Sequence, residues 1–328
     1  MPTPTFRVQL AVPALLGVFL LAISFTSLAE AKSGTIPADL RIVDSAGKSL
    51  ADGTQYSGPA KLKTSRKADC FGPGTGGSGG KVGLPGSTAL GQLAAAGGAF
   101  PGSDPLAVTD AFDFGLGLCG IGRAVAPATG FWYLKVDHVA SLVGGEQTAV
   151  RRNDEILWYL IADFTDPTPD ELALKAPTSA DPGEQVRVKV LSYDGDGTRT
   201  PAAGAQVTGA EGLTGADGRT TITAGDGVSH LRATRAGSIP SNTVALCSGR
   251  ASQCPAGYAR TVGGTPRSDK ITAGAAAETI LAGAGKDRIN ARRGQRRDRI
   301  NCGPGKDRLV LAKGSGSKVR SCEKVSFR

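Results

Sequence analysis

Histidine is nearly absent from this 328-residue chain, which contains two, His138 and His230. Neither a C-x-x-C nor an H-x-x-x-H spacing occurs, so the chain lacks the ligand patterns from which structural zinc sites are built. No stretch combines a nucleophile, a base and a group that orients the base, which are the elements of a nucleophilic active site. The sequence therefore predicts no catalytic residue and no enzymatic activity.

Aromatic residues are also scarce, at 5% of the chain, whereas glycine is abundant, with 47 residues. This composition argues against one large helical core and predicts a turn-rich chain that is mostly β. The length suffices for about two or three domains.

Long apolar runs are missing except at the start, where residues 10–25 ("LAVPALLGVFLLAISF") precede the A-x-A pattern Ala29-Glu30-Ala31. A short apolar run followed by such a pattern is typical of a secretory signal peptide. A membrane-spanning helix needs about 20 apolar residues, so the alternative, an uncleaved anchor, fits less well. We expect residues 1–31 to direct export to an extracellular or cell-surface location. We also expect no transmembrane segment after cleavage and no intracellular nucleic-acid partner.

The cysteines fit an oxidising compartment. Each one has a partner within the same stretch of the chain, so we expect three disulfides between sequential cysteines. The expected pairs are Cys70 with Cys119, Cys247 with Cys254, and Cys302 with Cys322.

Strand patterns and composition divide the remaining chain into three units, residues 32–167, 168–247 and 248–328. In the first, residues 131–139 ("FWYLKVDHV") and 155–164 ("EILWYLIADF") predict strands, and residues 88–97 predict a short helix capped by Ser87 or Thr88. In the second, "EQVRVKVLSY" alternates apolar and charged residues, and further short strands separated by turns predict a β-sandwich.

The third unit carries all of the excess positive charge. From Ser248 onward there are 18 Lys and Arg against 6 Asp and Glu, a net charge of +12, so residues 1–247 carry −3 of the total +9. Acidic residues recur in this unit with spacings of 9, 9, 11 and 9, and an aliphatic residue follows two positions after each. The acids are Asp269, Glu278, Asp287, Asp298 and Asp307.

These repeats resemble a degenerate haemolysin-type calcium-binding array, in which nonapeptides wind into a parallel β-roll. The resemblance implies that the aliphatic residues point into the coil and that the five acids line its two edges as calcium ligands. It places Asp269, Asp287 and Asp307 on one edge, and Glu278 and Asp298 on the other. Calcium takes six to eight oxygens, roughly, from carboxylates and carbonyls. The chain departs from the family pattern in several glycines and in a two-residue insertion before Asp298.

Three of these acids are flanked by cations, which neutralise a carboxylate and compete with a metal. The flanking residues are Lys286, Arg288, Arg297, Arg299, Lys306 and Arg308. Stacked on adjacent rungs about 4.8 Å apart, such cations repel one another, and a bound polyanion relieves the repulsion. We therefore expect this unit to bind an anionic polymer, such as wall teichoic acid, an acidic polysaccharide or extracellular DNA. The alternative is that the long side chains only extend into water.

The first unit resembles the C-terminal domain of transcobalamin and intrinsic factor. Matching residues in its two strand motifs are Trp132, Val136 and Asp137, then Asp154, Glu155, Ile156 and Trp158, with His138 in place of a hairpin glycine. The resemblance implies a small α+β domain without implying cobalamin binding, because the family's separate helical domain is absent. The two tryptophans leave two interpretations open, a hairpin core or a shallow platform for a sugar or another flat ligand.

The second unit resembles a bacterial Ig-like or carboxypeptidase-regulatory-like β-sandwich, through "PAAGAQVTG" and "TGADGRTTIT". Together these features predict a mainly β, multi-domain fold: a small α+β domain, an antiparallel β-sandwich and a short parallel β-roll. The expected function is attachment or binding at the cell surface without catalysis. The alternatives are a calcium-binding protein and a small-molecule binder that contacts a corrinoid-like ligand through the first unit.

Overall fold

The computed structural model of the protein describes residues 34–250, 253–293 and 297–328. The expected signal peptide, residues 1–31, lies outside this part of the chain. Strands predominate, and the described ranges contain one α-helix, so the expectation of a mainly β fold with several sheets is confirmed. No helix in these ranges is long and apolar enough to cross a membrane.

The first unit packs a helix against a mixed sheet. Its elements are β1 (Ile36–Val43), β2 (Ser49–Ser57), β3 (Ala60–Lys63), β4 (Lys81–Leu84), α1 (Ala89–Ala96), a 3₁₀ turn (Pro101–Ser103), β5 (Leu106–Phe112), β6 (Gly115–Ile121), β7 (Ala124–Val125), β8 (Phe131–Val136), β9 (Val139–Ala140) and β10 (Glu155–Ile161). Strand β1 pairs antiparallel with β2 and parallel with β10, which pairs antiparallel with β8. Leu40 and Ile42 of β1 share a buried core with Leu90 and Leu93 of α1.

Helix α1 begins at the predicted cap. The Thr88 side-chain oxygen accepts a hydrogen bond from the Gly91 amide at 3.1 Å, which satisfies one of the free amides of the first turn. The buried Gln92 amide group donates to the carbonyls of Ala38 and Gln55, each at 3.1 Å. These two bonds tie the helix to β1 and β2 of the sheet.

As expected, the second unit is a sandwich of short strands, and most but not all of their pairings are antiparallel. Its strands are β11 (Asp170–Lys175), β12 (Ser179–Ala180), β13 (Gln185–Tyr193), β14 (Arg199–Pro201), β15 (Gln206–Val207), β16 (Arg219–Thr223), β17 (Gly227–Leu231), β18 (Ala233–Thr234), β19 (Ser238–Ile239) and β20 (Val244–Ser248). Strand β13 pairs antiparallel with β11, β14 and β16. Val186, Val188 and Val190 are buried in its core, as their alternation with charged residues predicts.

The third unit winds as a coil of two parallel sheets, which we call the C-terminal coil. One sheet contains β21 (Arg260–Gly263), β23 (Glu278–Leu281), β25 (Arg299–Asn301) and β27 (Lys318–Arg320). The other contains β22 (Lys270–Thr272), β24 (Arg288–Ala291), β26 (Arg308–Leu311) and β28 (Lys324–Phe327). Every pairing between these strands is parallel, so residues at equivalent repeat positions lie beside each other.

Aliphatic side chains fill the inside of the C-terminal coil. Ile271, Ile289 and Leu309 form one column in register, and Ile280 pairs with Ile300 in another. All five are buried. The expected inward orientation of the repeated aliphatic residues is therefore present.

Glycine at the turns lets successive rungs stack closely. Gly303 has a φ of +84°, and a Cβ atom there would lie 1.9 Å from the carbonyl oxygen of Gly283. Both the left-handed backbone and the lack of space exclude a larger residue at this turn.

The coil continues the sheet of the first unit instead of standing apart from it. Strand β2 pairs in parallel with β21, so that one sheet of nine strands runs from β27 to β9. The Gln55 side chain donates to the Gly264 carbonyl at 2.8 Å, and the Tyr56 hydroxyl donates to the Lys270 carbonyl at 3.2 Å. The first rung of the coil is thereby covered by β2, which shields its core from water.

A buried ion cluster joins the first unit to the sandwich. Glu171 of β11 contacts Arg41 of β1, and its carboxylate lies 3.3 Å from the Lys135 ammonium of β8. Burial alone would raise the pKa of Glu171, but Arg41, His138 and Lys135 lower it to about 2. The cluster therefore holds an ionised carboxylate between two units that are distant in sequence.

His138 completes this cluster from an unusual turn. Asp137 and His138 connect β8 to β9 with φ values of 49° and 71°, a conformation that favours glycine, asparagine or aspartate. The His138 ring lies 3.0 Å from the Glu171 carboxylate and stacks on Tyr193 with 3.7 Å between ring centroids. These contacts hold a histidine where the family resemblance places a glycine.

All three expected disulfides are present. Cys70 is bonded to Cys119, Cys247 to Cys254, and Cys302 to Cys322. The last one links two neighbouring turns of the coil, and the second connects the end of the sandwich to the start of the coil. The sequential connectivity predicted from the sequence is confirmed.

Candidate functional site

One face of the C-terminal coil carries a column of cations in register. Lys270 pairs in register with Arg288, Arg288 with Arg308, and Arg308 with Lys324. All four side chains are exposed. Lys270, Arg288 and Arg308 each precede a buried aliphatic residue, whereas Lys324 precedes Val325, which is exposed on the last rung. The column therefore places one cation on each of four successive rungs.

Two further cations flank this column at the turns. Lys286 and Lys306 precede the buried acids of their rungs, and both are exposed. We call the six residues the basic face: Lys270, Lys286, Arg288, Lys306, Arg308 and Lys324. Within the described part of the chain, no salt bridge joins any of them to an acidic side chain.

The charge density of the basic face is high because the rungs are close together. Neighbouring parallel strands lie about 4.8 Å apart, so like charges in register repel and destabilise the pairing. Guanidinium groups bind carboxylate and phosphate oxygens through two parallel hydrogen bonds. The face is thus suited chemically to an extended anion that contacts several rungs at once.

The structure separates the other two predicted cations from this face. Arg299 lies on the opposite sheet, where it is in register with Lys318. Arg297 is half-buried, and its guanidinium donates to the Cys254 carbonyl at 3.1 Å. The six flanking cations therefore do not share one face, because alternate half-turns of the coil face opposite ways.

The acids form two buried columns inside the edges of the coil. In the first, the Asp269 amide donates to the Asp287 carboxylate and the Asp287 amide donates to the Asp307 carboxylate, each at 2.8 Å. The Asp307 amide donates to the Glu323 carboxylate at 2.8 Å. In the second, the Glu278 amide donates to the Asp298 carboxylate at 2.9 Å. Each carboxylate thus binds the main chain of the preceding rung, and the expected alignment on two edges is present.

Burial changes the ionisation of the first column. Desolvation and, to a smaller extent, the neighbouring carboxylates of Asp269 and Asp307 raise the pKa of Asp287 to about 7, although the bond from the Asp269 amide opposes the rise. Burial also raises the pKa of Asp269, although bonds from Thr265 and Thr35 oppose it. Asp287 and Asp269 therefore retain protons at a pH where exposed aspartates are ionised.

The fit of these acids to calcium is partial. The Oδ2 atoms of Asp287 and Asp307 are buried without a hydrogen-bond partner, so they are available to a cation. However, their Oδ1 atoms are occupied by backbone amides. Among the described residues, no group of three or more His, Cys, Asp or Glu side chains converges closely enough to hold a metal ion. Calcium binding at these acids remains a prediction, and no step of the function proposed below depends on it.

Both tryptophans lie inside the first unit. Trp132 is 7% exposed and Trp158 is 3% exposed, and both belong to the core that α1 covers. The interpretation of these residues as a shallow ligand platform is therefore wrong. The tryptophan of each aromatic pair is a core residue because α1 covers that side of the sheet, whereas Tyr133 and Tyr159 are half-buried in a different cluster with Val43.

Sequence reasoning missed three residues of the coil. Lys270 and Lys324 belong to the basic face, and Glu323 caps the first acidic column as a fourth acid. Lys270 follows its acid as Arg288 follows Asp287, so the repeat pattern already contained this signal. Lys324 and Glu323 were harder to find because the final turn of the coil departs from the repeat spacing.

Together, the fold and the face define a mainly β protein of several sheets with three disulfides and a basic coil. No protein-family model matches the chain, and neither a curated protein nor a solved structure matches it. The disulfides are compatible with an extracellular protein.

Proposed function

We propose that this protein is a non-enzymatic, extracellular or cell-surface binding protein whose basic face holds an anionic polymer. The observation that carries the proposal is the in-register column of Lys270, Arg288, Arg308 and Lys324 without acidic partners among the described residues. The other units support this role mechanically, since β2 anchors the coil and the ion cluster at Glu171 fixes the sandwich to the same sheet.

Two electrostatic effects favour a polyanion at the basic face. The acids of the coil lie inside it, where they bind backbone amides. The cations lie outside and repel one another. A polyanion neutralises several cations at once and releases its own counterions, so its affinity falls steeply with salt. Binding therefore supplies the neutralisation that the chain itself does not.

The test compares two double variants of the full chain with the same change in charge. Arg288→Gln/Arg308→Gln removes two neighbours from the basic face, and Arg299→Gln/Lys318→Gln removes two neighbours from the opposite sheet. Binding to immobilised polygalacturonate and to duplex DNA is measured at several salt concentrations. We expect the first variant to lose about tenfold or more in affinity at low salt for whichever polymer binds.

The opposite-sheet variant serves as the control for net charge. It should retain most of the affinity, because its cations lie away from the polymer. Equal losses of affinity in both variants would show that binding depends only on the total charge of the protein. Absence of retention of the unmodified chain on both polymers at low salt would overturn the proposal.

A second candidate function is calcium binding at the first acidic column. The unpartnered buried Oδ2 atoms of Asp287 and Asp307 favour it. If the column binds calcium, addition of the ion at pH 8 should raise the Tm of the full chain. The increase should vanish in Asp287→Asn/Asp307→Asn, whose amide oxygens still accept the backbone bonds. An unchanged Tm at millimolar calcium would eliminate this candidate.

A further inference from the structure

We infer, on the basis of the proposed function, that the polymer is an acidic polysaccharide with a carboxylate on each sugar, extended along the cation column. Lys270, Arg288, Arg308 and Lys324 would each face one carboxylate, while hydroxyl groups of the sugars contact the neighbouring polar column. The basic face would thus bind this class of polymer in preference to other polyanions.

The first supporting observation is the in-register alignment of the column. Parallel in-register pairing across β22, β24, β26 and β28 places the four cations in one line across the rungs. Four rungs spaced about 4.8 Å apart span about 14 Å. Each sugar of an extended 1,4-linked polysaccharide advances the chain by a distance similar to the rung spacing, so its carboxylates are spread over the same length as the four cations.

The second observation is a polar column beside the cations. Thr272 pairs with Asn290, Asn290 with Val310, and Val310 with Ser326. These residues alternate with the inward aliphatic positions, so they lie on the same outer surface as the cations. Hydroxyl and amide groups on three of the four rungs match a ligand whose charges are accompanied by hydroxyl groups, as sugars are.

Duplex DNA fits the same surface less well. Each of its strands carries a phosphate per about 3.4 Å of axis, and the phosphates follow a helical path around a cylinder. A column of cations in register follows such a curved path over a short stretch only, so fewer of its rungs are paired. The neighbouring hydroxyl and amide groups would then have no partners except phosphate oxygens.

The experiment measures the affinity of the full chain for three polymers at one ionic strength. The probes are polygalacturonate, the same polymer after extensive methyl esterification, and duplex DNA of comparable charge. We expect polygalacturonate to bind at least about tenfold more tightly than the esterified polymer, because esterification removes most of the carboxylates. We also expect it to bind more tightly than DNA.

A variant of the polar column separates recognition of sugar from recognition of charge. Thr272→Val/Asn290→Ala should weaken polygalacturonate binding by about fivefold, the equivalent of about one neutral hydrogen bond, and leave DNA binding unchanged. The control for the asparagine change is Asn301→Ala on the opposite sheet. Asn301 and Asn290 each accept a bond from a backbone amide two residues later, so both changes remove one such bond from a turn. Asn290 also accepts a bond from the Arg292 guanidinium at 3.1 Å, which the control does not reproduce.

The outcomes of these experiments test the polysaccharide inference and the proposed function separately. Tighter binding to DNA than to polygalacturonate, with loss of both in Arg288→Gln/Arg308→Gln, would overturn the polysaccharide inference and keep the proposed function. Equal weakening of DNA and polygalacturonate by the polar-column variant would also overturn the inference. Failure of the unmodified chain to bind any of the three polymers would overturn both.

Discussion

The C-terminal coil and the sandwich are both built from short strands, but they differ in which residues become neighbours across the strands. In the coil, each residue lies beside the equivalent residue of the next repeat, so Arg288 meets Arg308 and Ile289 meets Leu309. In the sandwich, paired residues come from segments without a common repeat: Val186 pairs with Ile222, but Val188 pairs with Thr220. A repeat in the coil therefore becomes a column of one chemical type across all of its rungs, whereas no repeat produces such a column in the sandwich.

The two regions consequently treat charge in opposite ways. At the junction that β11 of the sandwich forms with the first unit, Glu171 is buried among Arg41 and Lys135, and the opposite charges compensate one another. In the coil, buried acids face backbone amides, and the exposed cations have only one another as neighbours in the column. The junction is thus complete in itself, while the coil leaves a surface whose charge an external partner would compensate.

The largest effect should follow from breaking the compensated junction. Replacing Glu171 by Ala leaves Arg41 and Lys135 buried without a counter-charge, which should lower the free energy of unfolding by about 3–5 kcal/mol. Urea denaturation of the full chain measures the loss. The control is Glu155→Ala, since Glu155 also contacts His138 but is 58% exposed in its side chain. A loss of similar size in both variants would contradict the assigned role of the cluster.

The next effect concerns the disulfide that connects turns of the coil. Cys302 and Cys322 are separated by 20 residues, so replacing both by Ala should destabilise the chain by about 3 kcal/mol through the entropy of the unfolded state. The pair Cys247 and Cys254, separated by 7 residues, closes a shorter loop and should contribute less. Thermal unfolding of both double variants tests the order, and the reverse order would show that the coil does not depend on its covalent link.

The buried acidic column should make stability depend on pH. Because the pKa of Asp287 is raised to about 7 in the fold, from about 4 in the unfolded chain, its contribution is full below pH 4 and is lost as pH rises through 7. The Tm measured between pH 5 and 8 should therefore fall less in Asp287→Asn than in the unmodified chain. The exposed Asp217→Asn serves as control and should leave the slope unchanged. Identical slopes in all three proteins would show that the column does not hold a proton.

The smallest effect should come from the basic face itself. Because Arg288 and Arg308 repel each other, Arg288→Gln/Arg308→Gln should raise the free energy of unfolding by less than about 1 kcal/mol at low salt. Guanidinium chloride would screen the repulsion, so urea denaturation at two salt concentrations is the appropriate measurement. A clear decrease in the free energy of unfolding would mean that these arginines stabilise the coil by packing on it, which contradicts the expected repulsion.

Residues with a local periodic signal were predicted well. The cap at Thr88, the buried face of β13 and the aliphatic columns of the coil all follow from short-range patterns. The disulfide pairs follow from proximity in the sequence. By contrast, the burial of Trp132 and Trp158 depends on α1. The alternation of residues within β8 and β10 does not show which side of the sheet this helix covers.

The sequence by itself determined the rungs of the C-terminal coil, because parallel strands in register convert a repeat of about nine residues directly into columns of like side chains. Only the tertiary structure decided which cations share a face, how β21 extends the sheet of the first unit, and that Glu171 meets Arg41 and Lys135. These contacts join residues far apart in the chain, and their energy depends on burial and pairing that no local pattern records.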